Sequence, residues 1–183
     1  TGTSGKMYCC DYDKITPDFL FIGKTLAAGY GALSAVITTK KISNIIRKVQ
    51  GRLQHTTTYQ GHSLSAAAAL SVQKIVNNKK FLRHVNYMGN HMREILISEL
   101  RNHDFFFDVR GRGLRFSFEY KCKKRDAFSE KLGQILKEKY SLLVSSKFHR
   151  VCFTPPLILT KKQAETSLEI YIKEFKKLSS NWI

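Results

Sequence analysis

The chain has 183 residues, 31 Lys and Arg against 14 Asp and Glu, and a formal net charge of +17. An apolar fraction of 43% is too high for a disordered chain of this charge, and the length suits one ordinary domain or two small subdomains. No window approaches the ~20 uninterrupted apolar residues of a membrane span: the longest, Leu64 to Val76, is short and carries Ser65, Ser71, Gln73 and Lys74.

Residues 1–18 are rich in Gly, Asp and Pro and read as loop with one short ordered piece. Phe19 to Ile22, bounded by Pro17-Asp18 and Gly23, predicts a buried strand. Small residues from Thr25 to Tyr30 suggest close backbone approach, Leu33 to Thr38 a second strand, and Ser43 to Lys48 a helix. Gly51 to Gly61 is polar, with three consecutive threonines after His55. Ser63 to Asn77, rich in alanine, predicts a helix capped by Ser63.

Val85, Met88, Met92, Leu96 and Leu100 recur at helical spacing, so residues 79–101 predict a long amphipathic helix with both methionines in its core face. Phe105 to Phe107 and Leu114 to Phe118 read as strands joined by a turn at Arg110-Gly111-Arg112-Gly113. A helix over 125–139, a strand at Val151 to Phe153 stopped by Pro155-Pro156, and an amphipathic helix over 160–178 follow. This order implies α/β or α+β, with a boundary near Asn77-Asn78.

Three places could carry chemistry. Lys24, just past the first strand, is either a solvated charge or an amine at the strand's carboxyl end, where α/β sheets bind ligands. Thr56-Thr57-Thr58, ahead of a helix start, suits either a phosphate or ordinary helix capping. Arg110 to Gly113 suits a carboxylate, a surface turn or a nucleic-acid phosphate. His55 and His62 lack a third ligand, so no metal site is expected. The cysteines (Cys9, Cys10, Cys122, Cys152) form no CxxC, and no leader is visible, so a reduced, cytoplasmic protein is expected.

Taken in order, the segments resemble class III aminotransferases, the pyridoxal-phosphate enzymes of fold type I. Gly2-Thr3-Ser4-Gly5-Lys6-Met7 is similar to a Gly-Arg-Thr-Gly-Lys segment. Pro17-Asp18, Gly23-Lys24, Gly29-Tyr30 and Leu33-Ser34-Ala35-Val36 resemble the lysine signature. His55 to Leu64 resembles the His-Gly-x-Thr-Tyr-x-Gly-Asn/His-Pro-Leu stretch, Val109 to Leu114 the Val-Arg-Gly-x-Gly-Leu turn, and Pro155-Pro156-Leu157 the proline pair before the last helix. Gly31-Ala32 and Ser63 stand where the family often has proline, and Thr56 where it usually has glycine.

The resemblance implies an α/β fold: the end of a large cofactor-binding domain over residues 1–78, then a small α/β domain over 79–183 with a three- or four-stranded sheet. It implies that Lys24 holds pyridoxal 5'-phosphate as a Schiff base and shuttles the Cα proton. Thr58, with the backbone of Thr57, binds the phosphate across a dimer interface, and Arg110 holds the substrate carboxylate. The expected reaction moves an amino group from a small-molecule donor to an oxo acid or aldehyde. Family members are more than twice this length, so the chain is expected to act with a missing amino-terminal half or in a homodimer. The alternatives are a non-catalytic module of the same fold and a basic nucleic-acid-binding domain. The basic residues speak against the latter, because they form scattered pairs such as Lys40-Lys41 and Lys176-Lys177 rather than one stripe.

Overall fold

The structure, a computed structural model, describes residues 1–147 and 149–182. The chain divides into two compact units, Thr1–Gly2 with Lys6–Leu82, and Thr3–Gly5 with Arg83–Ile183.

In the first unit, two runs of aromatic and branched residues form strands β1 (Phe19–Ile22) and β2 (Ala35–Thr38). They pair antiparallel, with Phe19 opposite Thr38 and Ile22 opposite Ala35. The chain between them makes a 3-10 turn at Lys24–Leu26. Leu33, expected to open the second strand, lies outside β2 and packs on Leu26, Ala27 and Ala69, as Ile22 and Ala35 also do.

Helix α1 (Lys40–Gln50) exceeds the expected span at both ends. Thr39 Oγ1 accepts from the Ile42 N–H at 3.4 Å at its start, and Gly51, at φ +71°, stops it. Helix α2 (Ser63–Val76) starts one residue after a different cap from the one expected. Ser63 is already helical, and the non-helical His62 accepts the Ser65 N–H on Nδ1 at 3.2 Å. Few side chains close this unit's core, and Phe21, Val49 and Leu64 stay about three-quarters exposed. Helix α3 (Lys79–Leu100) begins in this unit.

The second unit holds the rest of α3, strands β3 (Phe106–Arg112) and β4 (Arg115–Tyr120), helix α4 (Arg125–Tyr140), strands β5 (Ser145–Lys147) and β6 (Arg150–Phe153), and helix α5 (Lys161–Ser179). The strands form one antiparallel sheet in the order β3-β4-β6-β5, the four-stranded form of the expected sheet. The expected turn at Arg110 to Gly113 shrinks to Gly113-Leu114. Arg110, Gly111 and Arg112 belong to β3 and pair with Ser117, Phe116 and Arg115. Gly111 is held in β3 by its pairing with Phe116, and a Cβ there would lie 2.4 Å from the Cα of Phe116, so the glycine marks close approach rather than the turn.

The core of this unit is aromatic. Phe175 of α5 is fully buried and lies 5.2–5.7 Å, centroid to centroid, from His103, Phe118, Tyr120 and Phe128. These edge-to-face pairs stabilise beyond their buried area. The α3 stripe of Val85, Met88, Met92, Leu96 and Leu100 is buried as its spacing requires. Gly89 lets α3 approach the β3–β4 turn: a Cβ there would sit 1.9 Å from the Gly113 oxygen. Leu114 N–H donates to the Thr3 carbonyl at 3.0 Å, and Asn86 Nδ2 donates to the Gly5 carbonyl at 2.7 Å, so the Thr3–Gly5 segment is tied to this unit. Among the described residues no helix is long and apolar enough to cross a membrane.

Candidate functional site

Lys24 follows β1 directly. Gly23 is extended, and Lys24 then turns to φ +51°, in the left-handed region that side chains adopt at a cost of about 1 kcal/mol or more. Two features hold that turn. Leu26 and Ala27 are buried beside it, and Gln73 Nε2 of α2 donates to the Leu26 carbonyl at 2.7 Å. The Lys24 side chain is exposed and makes no ion pair among the described residues. The sequence has no Asp or Glu between Asp18 and Glu94, so that whole stretch offers the amine no carboxylate.

Thr57 and Thr58 lie in the exposed segment ahead of α2. The Gln60 N–H donates to the Thr57 carbonyl at 3.0 Å, and the His62 N–H to the Tyr59 carbonyl at 3.2 Å. Two successive turns, with Gly61 at φ +72°, thus lead into the helix start. Neither threonine hydroxyl is committed to a hydrogen bond among the described residues. Lys24, Thr57 and Thr58 belong to the first unit and Arg110 to the second.

Arg110 is half-exposed on β3. Its Nη2 donates to Glu119 Oε2 at 2.6 Å, and its Nε lies 3.1 Å from Asp108 Oδ2. Glu119 of β4 is buried, its side chain only 8% exposed, whereas Asp108 is about half exposed. His149 Nε2 lies 3.9 Å from the same Glu119 oxygen. Sequence reading missed Glu119 and His149. The signal for Glu119 lies in the hairpin register: a two-residue turn at Gly113-Leu114 puts Glu119 opposite Asp108, diagonal to Arg110 on the same face.

His103 is the titratable group of this unit whose roles are fixed by its partners. The Phe105 N–H donates to its Nδ1 at 3.1 Å, and its Nε2 lies 2.9 Å from Ser179 Oγ. Nδ1 is therefore the acceptor and Nε2 carries the hydrogen. Burial lowers its pKa, against a smaller opposing pull from Asp104. Among the described residues no group of three or more His, Cys, Asp or Glu side chains could hold a metal ion.

The family profile described as Aminotransferase class-III matches residues 1–175. Among curated proteins, the chain is 30% identical over 177 residues to ornithine aminotransferase of Plasmodium yoelii yoelii, covering 96% of this chain and 41% of that protein. It is 29% identical to adenosylmethionine-8-amino-7-oxononanoate aminotransferase of Staphylococcus aureus, covering 94% of this chain and 40% of that one. Among solved structures, ornithine aminotransferase from Plasmodium yoelii superposes with a TM-score of 0.84 at 29% identity, over 97% of this chain and 45% of that one. An ornithine aminotransferase from Toxoplasma gondii, described with partial occupancy of pyridoxal phosphate at its active site, gives 0.86 at 25% identity over 98% and 41%. The chain thus spans about two fifths of the length of the curated relatives it matches.

Proposed function

Because the chain belongs to the class III aminotransferase family, we propose that it is the carboxyl-terminal part of an enzyme that transfers an amino group from a small-molecule donor to an oxo acid or aldehyde. The observation that carries this reading is Lys24: an exposed amine with no partner among the described residues, at the carboxyl end of β1, in a left-handed conformation that buried neighbours and Gln73 maintain. Residues 1–78 would form the end of the cofactor-binding domain, and 79–183 the small domain. The exposed apolar side chains of the first unit suit a piece of a larger domain.

The side chains fit pyridoxal 5'-phosphate. An amine uncommitted among the described residues suits its aldehyde, and two hydroxyls uncommitted among them, beside a helix start, suit its phosphate. When bound, the cofactor supplies an electron sink for bond breaking at the substrate Cα. Lys24 Nζ would hold it covalently, and, once freed by the substrate amine, would take and return the Cα proton as a general base. Thr57, through its backbone N–H, and Thr58, through its hydroxyl, would bind the phosphate from the partner copy of a homodimer. The Arg110 guanidinium would hold the substrate carboxylate and so orient the Cα–H bond.

The test is amino transfer from a panel of amino acids to an oxo acid, with pyridoxal phosphate added. The chain is assayed alone and with an amino-terminal portion supplied. Transfer that Lys24→Ala abolishes supports the reading. Absence of transfer in both preparations favours the non-catalytic module.

A further inference from the structure

Cys9 and Cys10 are the one pair of adjacent cysteines in the chain. They open a 3-10 turn, Cys9–Tyr12, in the first unit. Cys9 is exposed and Cys10 partly buried, both are free thiols, and neither sulfur has a partner among the described residues. The backbone that carries them is fixed on both sides. The Tyr8 N–H donates to Asp11 Oδ2 at 3.0 Å, and the Lys6 ammonium to the Asp11 carbonyl at 2.9 Å. The Asp13 and Ile15 N–H groups both donate to the Cys10 carbonyl at 3.2 Å. Each sulfur is then placed by a single χ1 rotation, so closing a ring through both thiols costs little further ordering.

The spacing selects among the chemistries open to two thiols. Adjacent Cα atoms lie about 3.8 Å apart, short of the ~4.4–6.8 Å that disulfides span. A direct sulfur–sulfur bond is therefore strained, and an atom inserted between the sulfurs relieves it. Thiolates call for a soft acceptor. Zinc takes four ligands, and among the described residues no group of three or more His, Cys, Asp or Glu side chains could hold a metal ion. Trivalent arsenic that already carries one organic group is complete with two sulfurs. The remaining thiols are less disposed to react. Cys152 Sγ lies 3.4 Å from Ser117 Oγ. Burial pushes the Cys122 thiol up, against a smaller opposite pull from Arg125, which lowers its share of reactive thiolate.

We infer that Cys9 and Cys10 form a two-thiol chelating site for a monosubstituted trivalent arsenical. The step is a condensation with no change of oxidation state. Two As–S bonds form, the arsenic–oxygen double bond of R–As=O breaks, and both thiol hydrogens leave with that oxygen as water. The second sulfur acts at a high effective concentration beside the first, so the pair binds ~10²–10⁴ times more tightly than either thiol alone. Binding here needs neither cofactor nor amino transfer.

The probe is phenylarsine oxide, added in equimolar amount to the reduced full chain once the reductant is removed, and followed by intact mass and thiol titration. The chain should gain one phenylarsenic group and lose two of its four titratable thiols. The adduct should survive a large excess of the monothiol mercaptoethanol and come off with the dithiol dimercaptopropanol. Cys9→Ser and Cys10→Ser should each weaken binding at least about 100-fold, while Cys122→Ser and Cys152→Ser change it by less than about twofold. Differential labelling of the unaltered chain keeps the test independent of how the variants fold. Thiols left open by the arsenical are blocked with iodoacetamide, the arsenic is removed with the dithiol, and the thiols then uncovered are tagged with N-ethylmaleimide. Two tags on the peptide that bears Cys9 and Cys10 support the chelate. Tags on Cys122 or Cys152, an adduct displaced by the monothiol, no adduct at all, or undiminished binding by a folded Cys9→Ser would overturn it.

Discussion

Gly89→Ala sets two magnitudes against each other. In an exposed helix the change would stabilise α3 by about 1 kcal/mol, because alanine loses less backbone entropy. Here the added Cβ would lie 1.9 Å from the Gly113 oxygen, 2.3 Å from its carbonyl carbon and 2.8 Å from its Cα, all backbone atoms. Restoring van der Waals distance needs roughly 1.5–2 Å of separation between helix and turn. That movement costs about 1–3 kcal/mol as overpacking. It also breaks the charged hydrogen bond from Arg93 Nη1 to the Gly113 oxygen, 3.2 Å long, at a further cost of about 1.5–3 kcal/mol. The net expectation is a loss of about 1.5–5 kcal/mol. Urea unfolding followed by Trp182 fluorescence measures it, since Trp182 is the sole tryptophan and lies edge-on to Phe128 at 5.1 Å within the same unit. A midpoint equal to or above that of the unaltered chain would show that the close approach of α3 to the β3–β4 turn is not a constraint.

Phe175→Ala removes the hub of the aromatic core and should cost about 3–5 kcal/mol, read in the same unfolding assay. Tyr171→Phe deletes a buried hydroxyl that has no hydrogen-bond partner among the described residues, so stability should stay level or rise by about 1 kcal/mol; a clear loss would reveal an essential contact. His103 has its pKa lowered by burial, so below the ordinary histidine range the unfolded chain binds more protons than the folded one. Stability should therefore fall as pH drops below about 6.5, and His103→Gln should flatten that slope in unfolding curves taken across the range.

The elements legible in the sequence are those whose signal is local. The spacing of Val85, Met88, Met92, Leu96 and Leu100 places the buried stripe of α3 without reference to anything distant. The short apolar run Phe19 to Ile22 likewise marks β1. Features set by tertiary contact were hidden. Gly111 reads as a turn residue, yet it serves the approach of Phe116 across the hairpin. Ser63 is a better intrinsic cap than His62, but the imidazole reaches the Ser65 N–H. Of the candidate residues, Lys24 in the first unit and Arg110 in the second are visible as residues, while their states are not. The left-handed turn at Lys24 carries no glycine or asparagine signal, and the Glu119 pairing appears only once the strand register is known.

If Lys24 holds pyridoxal phosphate, a single reduction experiment should show it. The most direct test is incubating the chain with the cofactor, reducing with borohydride and mapping the labelled peptide, with and without a supplied amino-terminal portion. The expected result is a covalent label on Lys24 that outcompetes the other lysines. A label spread evenly over exposed lysines, or none at Lys24 in either preparation, would contradict it.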